Sequence, residues 1–223
     1  MKAVLFDYNG TLFEDDDINE EAWRRTYKEI TGTEDGFQSL YQKYIGIRND
    51  VFVESILREN GLPTDKEKIA WWSKRKETEN YQKICLEHKD RGMREGAEKL
   101  LDRLKEEGIP ITMCTASIRE NRDFYFSFLQ LDRWFDIDKV VYDNGDYSDK
   151  AKMYLEGARR LGVDIADCLV IDDSAKSIQK AAEAGCRNIV VIRKENNPDL
   201  PQIRQRINSF EEFDYELLKE RTR

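Results

Sequence analysis

Five short apolar runs, separated by helix-patterned sequence, constrain this chain more than any other feature. They are Ala3–Phe6, Ile109–Cys114, Val140–Tyr142, Cys168–Ile171 and Ile189–Ile192, bounded by Gly, Pro, Asp or Asn. Such runs read as strands buried on both faces of a parallel sheet. Between them, Ala97, Leu100, Leu101 and Leu104 recur at i, i+3, i+4, i+7 before Gly108. Tyr154, Ala158 and Leu161 do so before Gly162, and Ala175, Ile178, Ala181 and Ala182 before Gly185. Apolar residues at that spacing form one helical face, and a following glycine ends the helix. Strand alternating with helix predicts an α/β fold, a doubly wound parallel sheet.

One connection breaks the alternation. From about Glu14 to Arg91 no strand pattern occurs. Trp23, Tyr27 and Ile30 share one helical face; Phe37, Leu40, Tyr41 and Tyr44 share another. Asn49 and Asp50 are expected to cap a helix carrying Phe52 and Ile56 and closed by Gly61. Pro63-Thr64-Asp65-Lys66-Glu67 reads as a capping box opening a long helix through Trp72. The prediction is an α/β core of residues 1–13 and 92–223, with about four helices inserted as residues 14–91. Trp71 and Trp72 are expected in the core of that insertion, or one of them exposed, and His88 on its surface.

Composition narrows the chemistry. Lys plus Arg number 37 and Asp plus Glu 45, for a formal net charge of −8. That argues against nucleic acid as a partner, because phosphate backbones are held by a surplus of basic residues. His88 is the one histidine, so no site can combine two imidazoles. No apolar run approaches the ~20 residues that span a bilayer, so no membrane partner is expected. The first residues are too short and too soon acidic for a signal peptide. Cys85, Cys114, Cys168 and Cys186 show no CxxC spacing. Cys114 and Cys168 read as small core residues. A monomeric cytoplasmic protein is expected.

In a doubly wound sheet, ligands sit beyond the carboxyl ends of the strands. Asp7-Tyr8-Asn9-Gly10-Thr11-Leu12 follows the first run. Thr115-Ala116-Ser117 follows the second, a loop to Lys150 the third, and Asp172-Asp173-Ser174 the fourth. In chain order this is acid, hydroxyl, lysine, acid pair. Phosphoryl transfer by hydrolysis needs that inventory. A carboxylate serves as nucleophile, oxygen ligands hold Mg²⁺, and a hydroxyl, backbone amides and a lysine hold the phosphoryl oxygens.

These segments resemble the four motifs of the haloacid dehalogenase-like (HAD) superfamily, with a helical cap inserted after the first strand. Phe6–Leu12 is similar to the first motif, DxDGT[LV]; Ile111–Ser117 to the second. Lys150 and the helix ending Arg159-Arg160-Leu161-Gly162 resemble the third. Leu169–Ser174, with Ala181-Ala182 and Ala184-Gly185, resembles the fourth. The resemblance implies Asp7 as nucleophile and Mg²⁺ ligand, the residue 9 carbonyl and Asp173 as further ligands, and Asp172 as support. It implies that Thr115 and the Ala116 amide hold the phosphoryl, that Lys150 neutralises it (Lys152 being the rival by register), and that the cap closes over the site. Arg48 in the insertion is a candidate substrate-anion clamp, with a solvated arginine the competing reading.

Two positions depart from the pattern. Ser177 stands where a further Asp or Asn is usual. More consequentially, Asn9 stands where the family's phosphatases carry a second Asp, the general acid and base. An amide hydrogen-bonds but does not shuttle protons. Three readings of Asn9 are open: a substrate with a good leaving group such as an acyl phosphate, a weakened or non-catalytic binding protein, or deamidation of Asn9-Gly10. The resulting expectation is a Mg²⁺-dependent phosphohydrolase acting on a small phosphorylated metabolite. The alternatives are a non-catalytic phosphate- or Mg²⁺-binding protein and a phosphomutase.

Overall fold

The computed structural model describes residues 1–44, 46–193 and 198–219. Two compact units form: Met1–Glu14 with Gly92–Arg223, and Asp15–Arg91.

The first unit is built on a sheet of β1 (Ala3–Phe6), β2 (Ile111–Ile118), β3 (Val141–Asp143), β4 (Cys168–Asp172), β5 (Asn188–Ile192) and β6 (Ile203–Ile207). The order is β3-β2-β1-β4-β5-β6, and every neighbouring pair is parallel. All four residues of β1 and all five of β4 are buried. Successive strand residues point to opposite faces, so both faces of the sheet are covered there. Burying each Val, Leu, Ile or Phe contributes about 1.5–3 kcal/mol, which is why these strands read as apolar runs, broken only where β4 ends in the buried Asp172. The order reverses at β1, flanked by β2 on one side and β4 on the other. Phe6 pairs with Ile171, so the residues that leave β1 and β4 emerge side by side.

The expected runs need correcting at several ends: β4 runs one residue further, to Asp172, and β5 starts one residue earlier, at Asn188. β2 starts two residues later than Ile109 and continues to Ile118, past the apolar stretch. β3 is displaced by one residue. The strand β6 was not expected. Its Ile-Arg-Gln-Arg-Ile sequence has no apolar run, because an edge strand pairs along one side and is only partly covered.

The second unit contains α1 (Asp16–Thr31), α2 (Phe37–Tyr44), α3 (Asn49–Glu59), α4 (Lys66–Arg75), a π-helical turn (Lys76–Tyr81) and α5 (Gln82–Glu87). Its core holds Trp23, Tyr27, Phe37, Leu40, Tyr41, Phe52 and Ile56, the expected aromatic stripes. The caps differ from expectation. Asp65 is the N-cap of α4, accepting from the Lys68 N–H at 2.8 Å. The Thr64/Glu67 box is therefore out of register by one residue. Arg48 takes the N-cap position of α3, with Asn49 and Asp50 already helical. The helical run also continues well beyond Trp72. Its π turn occurs where buried polar side chains need partners. Lys76 donates to Asn19 Oδ1 (2.5 Å) and Glu77 Oε1 (2.8 Å), Asn80 to Thr26 Oγ1 (2.9 Å), and Tyr81 to Asp15 Oδ2 (2.6 Å). Trp72 is half-buried while Trp71 and His88 are exposed.

Back in the first unit are α6 (Ala97–Glu106), α7 (Arg119–Leu129), α8 (Lys150–Arg160), α9 (Ala175–Glu183) and the short α10 (Glu216–Lys219). The helix α7 is a further addition to the expected set. All four cysteines are buried and unpaired. No helix among the described residues is long and apolar enough to cross a membrane.

Gly157 sets how closely α8 approaches the sheet. A Cβ there would lie 2.5 Å from Cys114 Sγ and 3.5 Å from Leu5 and Thr112 side-chain carbons. Because α8 also carries Lys150, Gly157→Ala is expected to displace that lysine and to destabilise the fold by about 1–3 kcal/mol. A denaturant melt measures this, with the midpoint falling.

Candidate active site

The end of β1 delivers Asp7, whose N–H donates to the Ile171 carbonyl at 3.0 Å. The chain then turns tightly: Thr11 and Phe13 N–H groups donate to the Tyr8 carbonyl, and Gly10 N–H to Phe13 O. Arg94 locks this turn from outside. Its buried guanidinium donates to the carbonyls of Gly10 (2.7 Å), Thr11 (3.0 Å) and Asn208 (3.0 Å). Gly10 has φ +72°, and a Cβ on it would stand 2.4 Å from Asp173 Oδ2. Only glycine fits this close approach.

β4 ends in Asp172, and Asp173 follows it. One oxygen from each of Asp7, Asp172 and Asp173 lies within 4.8 Å of the others. Thr11 Oγ1 donates to Asp173 Oδ1 at 3.0 Å. Asp172 Oδ1 accepts from the Ser174 N–H at 2.8 Å, and its Oδ2 from the Tyr154 hydroxyl. At the start of α8, Lys150 Nζ lies 2.7 Å from Asp7 Oδ1 and 3.5 Å from Asp172 Oδ2, and donates to the Cys114 carbonyl. Lys152, two residues further along the same turn, is exposed.

Thr115 is buried within β2 rather than after it, its Oγ1 accepting from the Ser117 N–H at 3.2 Å, and Ala116 beside it is exposed. Asn9 is held by its side chain: the amide oxygen accepts from Ser117 Oγ at 2.8 Å. The Tyr125 hydroxyl lies 3.2 Å from both the amide oxygen and nitrogen. The Tyr125 ring stacks on Tyr8 at 3.7 Å between centroids. Ser177 is buried in α9. Arg48 belongs to the helical unit; its side chain is 82% exposed and pairs with Asp50 at 2.7 Å.

The acids repel one another strongly. Burial, then the neighbouring Asp7, pushes the Asp172 carboxyl up; burial, then Asp172 and Asp7, does the same to Asp173. Burial alone would lower the Lys150 ammonium, but Asp7 and Asp172 outweigh it and hold it above its ordinary value. A carboxyl whose folded pKa exceeds its unfolded value binds more protons when folded. Stability therefore falls as pH rises above about 4, by about 1.4 kcal/mol per pH unit for each proton so retained. Metal-free protein should accordingly melt lower at neutral pH than at pH near 5, and saturating Mg²⁺ should remove much of that difference. Melting curves across pH with and without the ion measure both. The donor set fits such an ion: clustered carboxylate oxygens are hard ligands of the kind Mg²⁺ prefers, and the absent Cβ of Gly10 leaves room for Asp173 to join them.

A model of haloacid dehalogenase-like hydrolases matches residues 1–185 of the chain. The chain belongs to that family. This HAD-like hydrolase is 29% identical to a HAD hydrolase of family IA, variant 3, from Entamoeba histolytica, whose crystal structure superposes with a TM-score of 0.86 over 99% of this chain and 100% of that one. It is 28% identical to CbbY of Rhodobacter capsulatus over 85% of each chain. It is likewise 28% identical to a bifunctional riboflavin kinase/FMN phosphatase of Arabidopsis thaliana, over 90% of this chain. It spans about half the length of that relative (49%).

Several neighbours of the site in this HAD-like hydrolase went unread in the sequence. Tyr154 has the spacing of a core residue, yet it lies four residues after Lys150 and so on the same helical face. Arg193 directly follows β5, at the strand end where ligands gather, and its Nη2 lies 3.6 Å from Asp173 Oδ2. Tyr125 and Arg94 carried no sequence signal, because each reaches the site from an element whose position depends on the tertiary fold.

Proposed function

We propose that the protein is a Mg²⁺-dependent phosphatase that works through an aspartyl-phosphate at Asp7. The observation that carries this reading is the convergence of Asp7, Asp172 and Asp173 within 4.8 Å of one another, with Lys150 2.7 Å from Asp7. In the first step an Asp7 oxygen attacks phosphorus, and the bond from phosphorus to the leaving oxygen breaks. Water then attacks the aspartyl-phosphate, releasing inorganic phosphate and restoring the Asp7 carboxylate. Thr115, the Ala116 amide and protonated Lys150 hold the phosphoryl oxygens. Asp7, the Asn9 carbonyl and Asp173 would hold Mg²⁺, with Asp172 supporting them; the bound ion would offset the charge of phosphate facing three acids.

Asn9 decides the substrate class. The leaving oxygen receives no proton from it, and the attacking water loses none to it. Leaving groups that depart readily as anions therefore suit this site: acyl phosphates and phosphoanhydrides of small metabolites rather than alkyl esters. Two sets of contacts oppose deamidation of Asn9. Deamidation requires the Gly10 nitrogen to attack the side chain, but that N–H is engaged with Phe13 O at 2.8 Å, and the side chain is tied to Ser117 and Tyr125. The competing reading, a phosphate-binding protein without turnover, is favoured by the same residue.

The test is a leaving-group series with phosphate release as readout. Acetyl phosphate should turn over about 10²-fold or more faster than an alkyl phosphate, since proton transfer commonly contributes about 10²–10⁴-fold. Chelation should abolish release and added Mg²⁺ restore it. No release from any member, with phosphate still binding, supports the binding protein instead.

A further inference from the structure

Arg193 has no task in the chemistry above, yet it sits at the acid cluster in an unusual conformation. Its φ is +69°, in the left-handed region that non-glycine residues enter at a cost. The position is fixed by the sheet: the Arg193 N–H donates to the Ile207 carbonyl at the end of β6, at 2.8 Å. Its guanidinium lies 3.6 Å from Asp173 Oδ2, with the arginine side chain 32% exposed and the aspartate 15%. Thr11 holds the other oxygen of the same carboxylate. Among the described residues, the ion pairs thus divide the three acids between two cations. Lys150 meets Asp7 and Asp172, and Arg193 meets Asp173.

These two cations differ in what they do when a divalent ion arrives. Lys150 lies on α8 and is nearly enclosed, a permanent part of the site. Arg193 follows β5 with its side chain one-third exposed, although the Nη2 that faces Asp173 is itself buried. Guanidinium does not lose its charge at any ordinary pH, so it cannot yield by deprotonation. It either repels the incoming ion or moves away from Asp173.

We propose that Arg193 is a built-in counter-cation that occupies Asp173 and competes with the divalent ion, so that loading the ion requires the guanidinium to give up that carboxylate. This rests on the reading of Asp7, Asp172 and Asp173 as a Mg²⁺ site. The competition keeps the metal-free acid cluster partly neutralised and lowers affinity for the ion. Two like charges a few ångströms apart at a partly hydrated site make that penalty about tenfold in binding.

The test is calorimetric titration of MgCl₂ into the metal-free 223-residue chain at constant ionic strength. Arg193→Gln and Arg193→Gly should each bind Mg²⁺ about tenfold more tightly than the wild type. The glycine variant also suits the positive φ, so it remains informative if glutamine disturbs the fold. Arg193→Lys, which keeps a cation there, should stay nearer the wild type, and Asp173→Asn should lose binding. Unchanged or weaker Mg²⁺ affinity in both neutral variants overturns the proposal, including the case in which they lose affinity for inorganic phosphate instead. If the wild type binds the ion and the neutral variants do not tighten, only the role of Arg193 falls. If none of the proteins binds it, the metal site itself falls, and this proposal with it.

Discussion

Asp7→Asn should lower phosphate release from acetyl phosphate by about 10⁴-fold or more, because it removes the atom that forms the covalent bond. The substitution is nearly isosteric. Asp7 sits at the end of a fully buried strand, and its N–H bond to the Ile171 carbonyl is made by the backbone. The fold should therefore persist. Losing one of three mutually repelling acids also relieves the cluster, while Lys150 keeps Asp172 at 3.5 Å as a partner. Stability close to wild type with activity gone is the expected pairing. Substantial residual turnover in the variant would mean that another group, or water directly, attacks phosphorus.

Asn9→Asp should act in the opposite direction. It supplies the proton donor and acceptor that the site lacks, so turnover of an alkyl phosphate should rise by about 10²–10⁴-fold. The gain on acetyl phosphate should be much smaller in the first step, because that leaving group needs no proton. The surroundings are already suited to a carboxylate. Ser117 Oγ and the Tyr125 hydroxyl, at 2.8 and 3.2 Å from the amide oxygen, would donate to an aspartate oxygen in the same place. A KM that changes little while kcat rises would assign the gain to chemistry rather than to binding. No gain on any ester would mean that this pair of hydroxyls holds residue 9 away from the reacting oxygens.

The sequence was most informative where burial forces a pattern. β1 and the first four residues of β4 are covered on both faces, so they are continuous apolar runs, and Asp7, Asp172 and Asp173 stand where those runs end, at the edge where ligands sit in a doubly wound sheet. Asp7, Asp172 and Asp173 were legible for that reason. The turn at Gly10 was visible as a motif, but its closeness to Asp173 is a tertiary fact. β6 was hidden because its Ile-Arg-Gln-Arg-Ile pattern is that of a partly solvated edge. Arg193 was hidden for a related reason. It looks like a surface residue in a polar stretch, and only its left-handed backbone and the pairing of β5 with β6 bring it near Asp173. Tyr125 became part of the site through α7, whose Phe- and Tyr-rich sequence gives no hint that one hydroxyl reaches Asn9. Helix caps were misread by a single residue at Asp65 and Arg48, where several capping-competent side chains stand in a row.

On the proposed mechanism, Asn9 also makes the covalent step unusually open to observation. Without a base for the attacking water, breakdown of the phosphorylated enzyme should be slower than its formation from a reactive donor. The protein should then accumulate phosphate on itself during turnover. Acid-quenched protein taken from a reaction with acetyl phosphate and Mg²⁺, analysed by intact mass and peptide mapping, measures this directly. One phosphoryl group on the peptide containing Asp7, labile to hydroxylamine and missing from Asp7→Asn, is the expected result. Steady release of phosphate with no phosphoryl on the protein, or with the group on another residue, would mean that Asp7 is not the nucleophile.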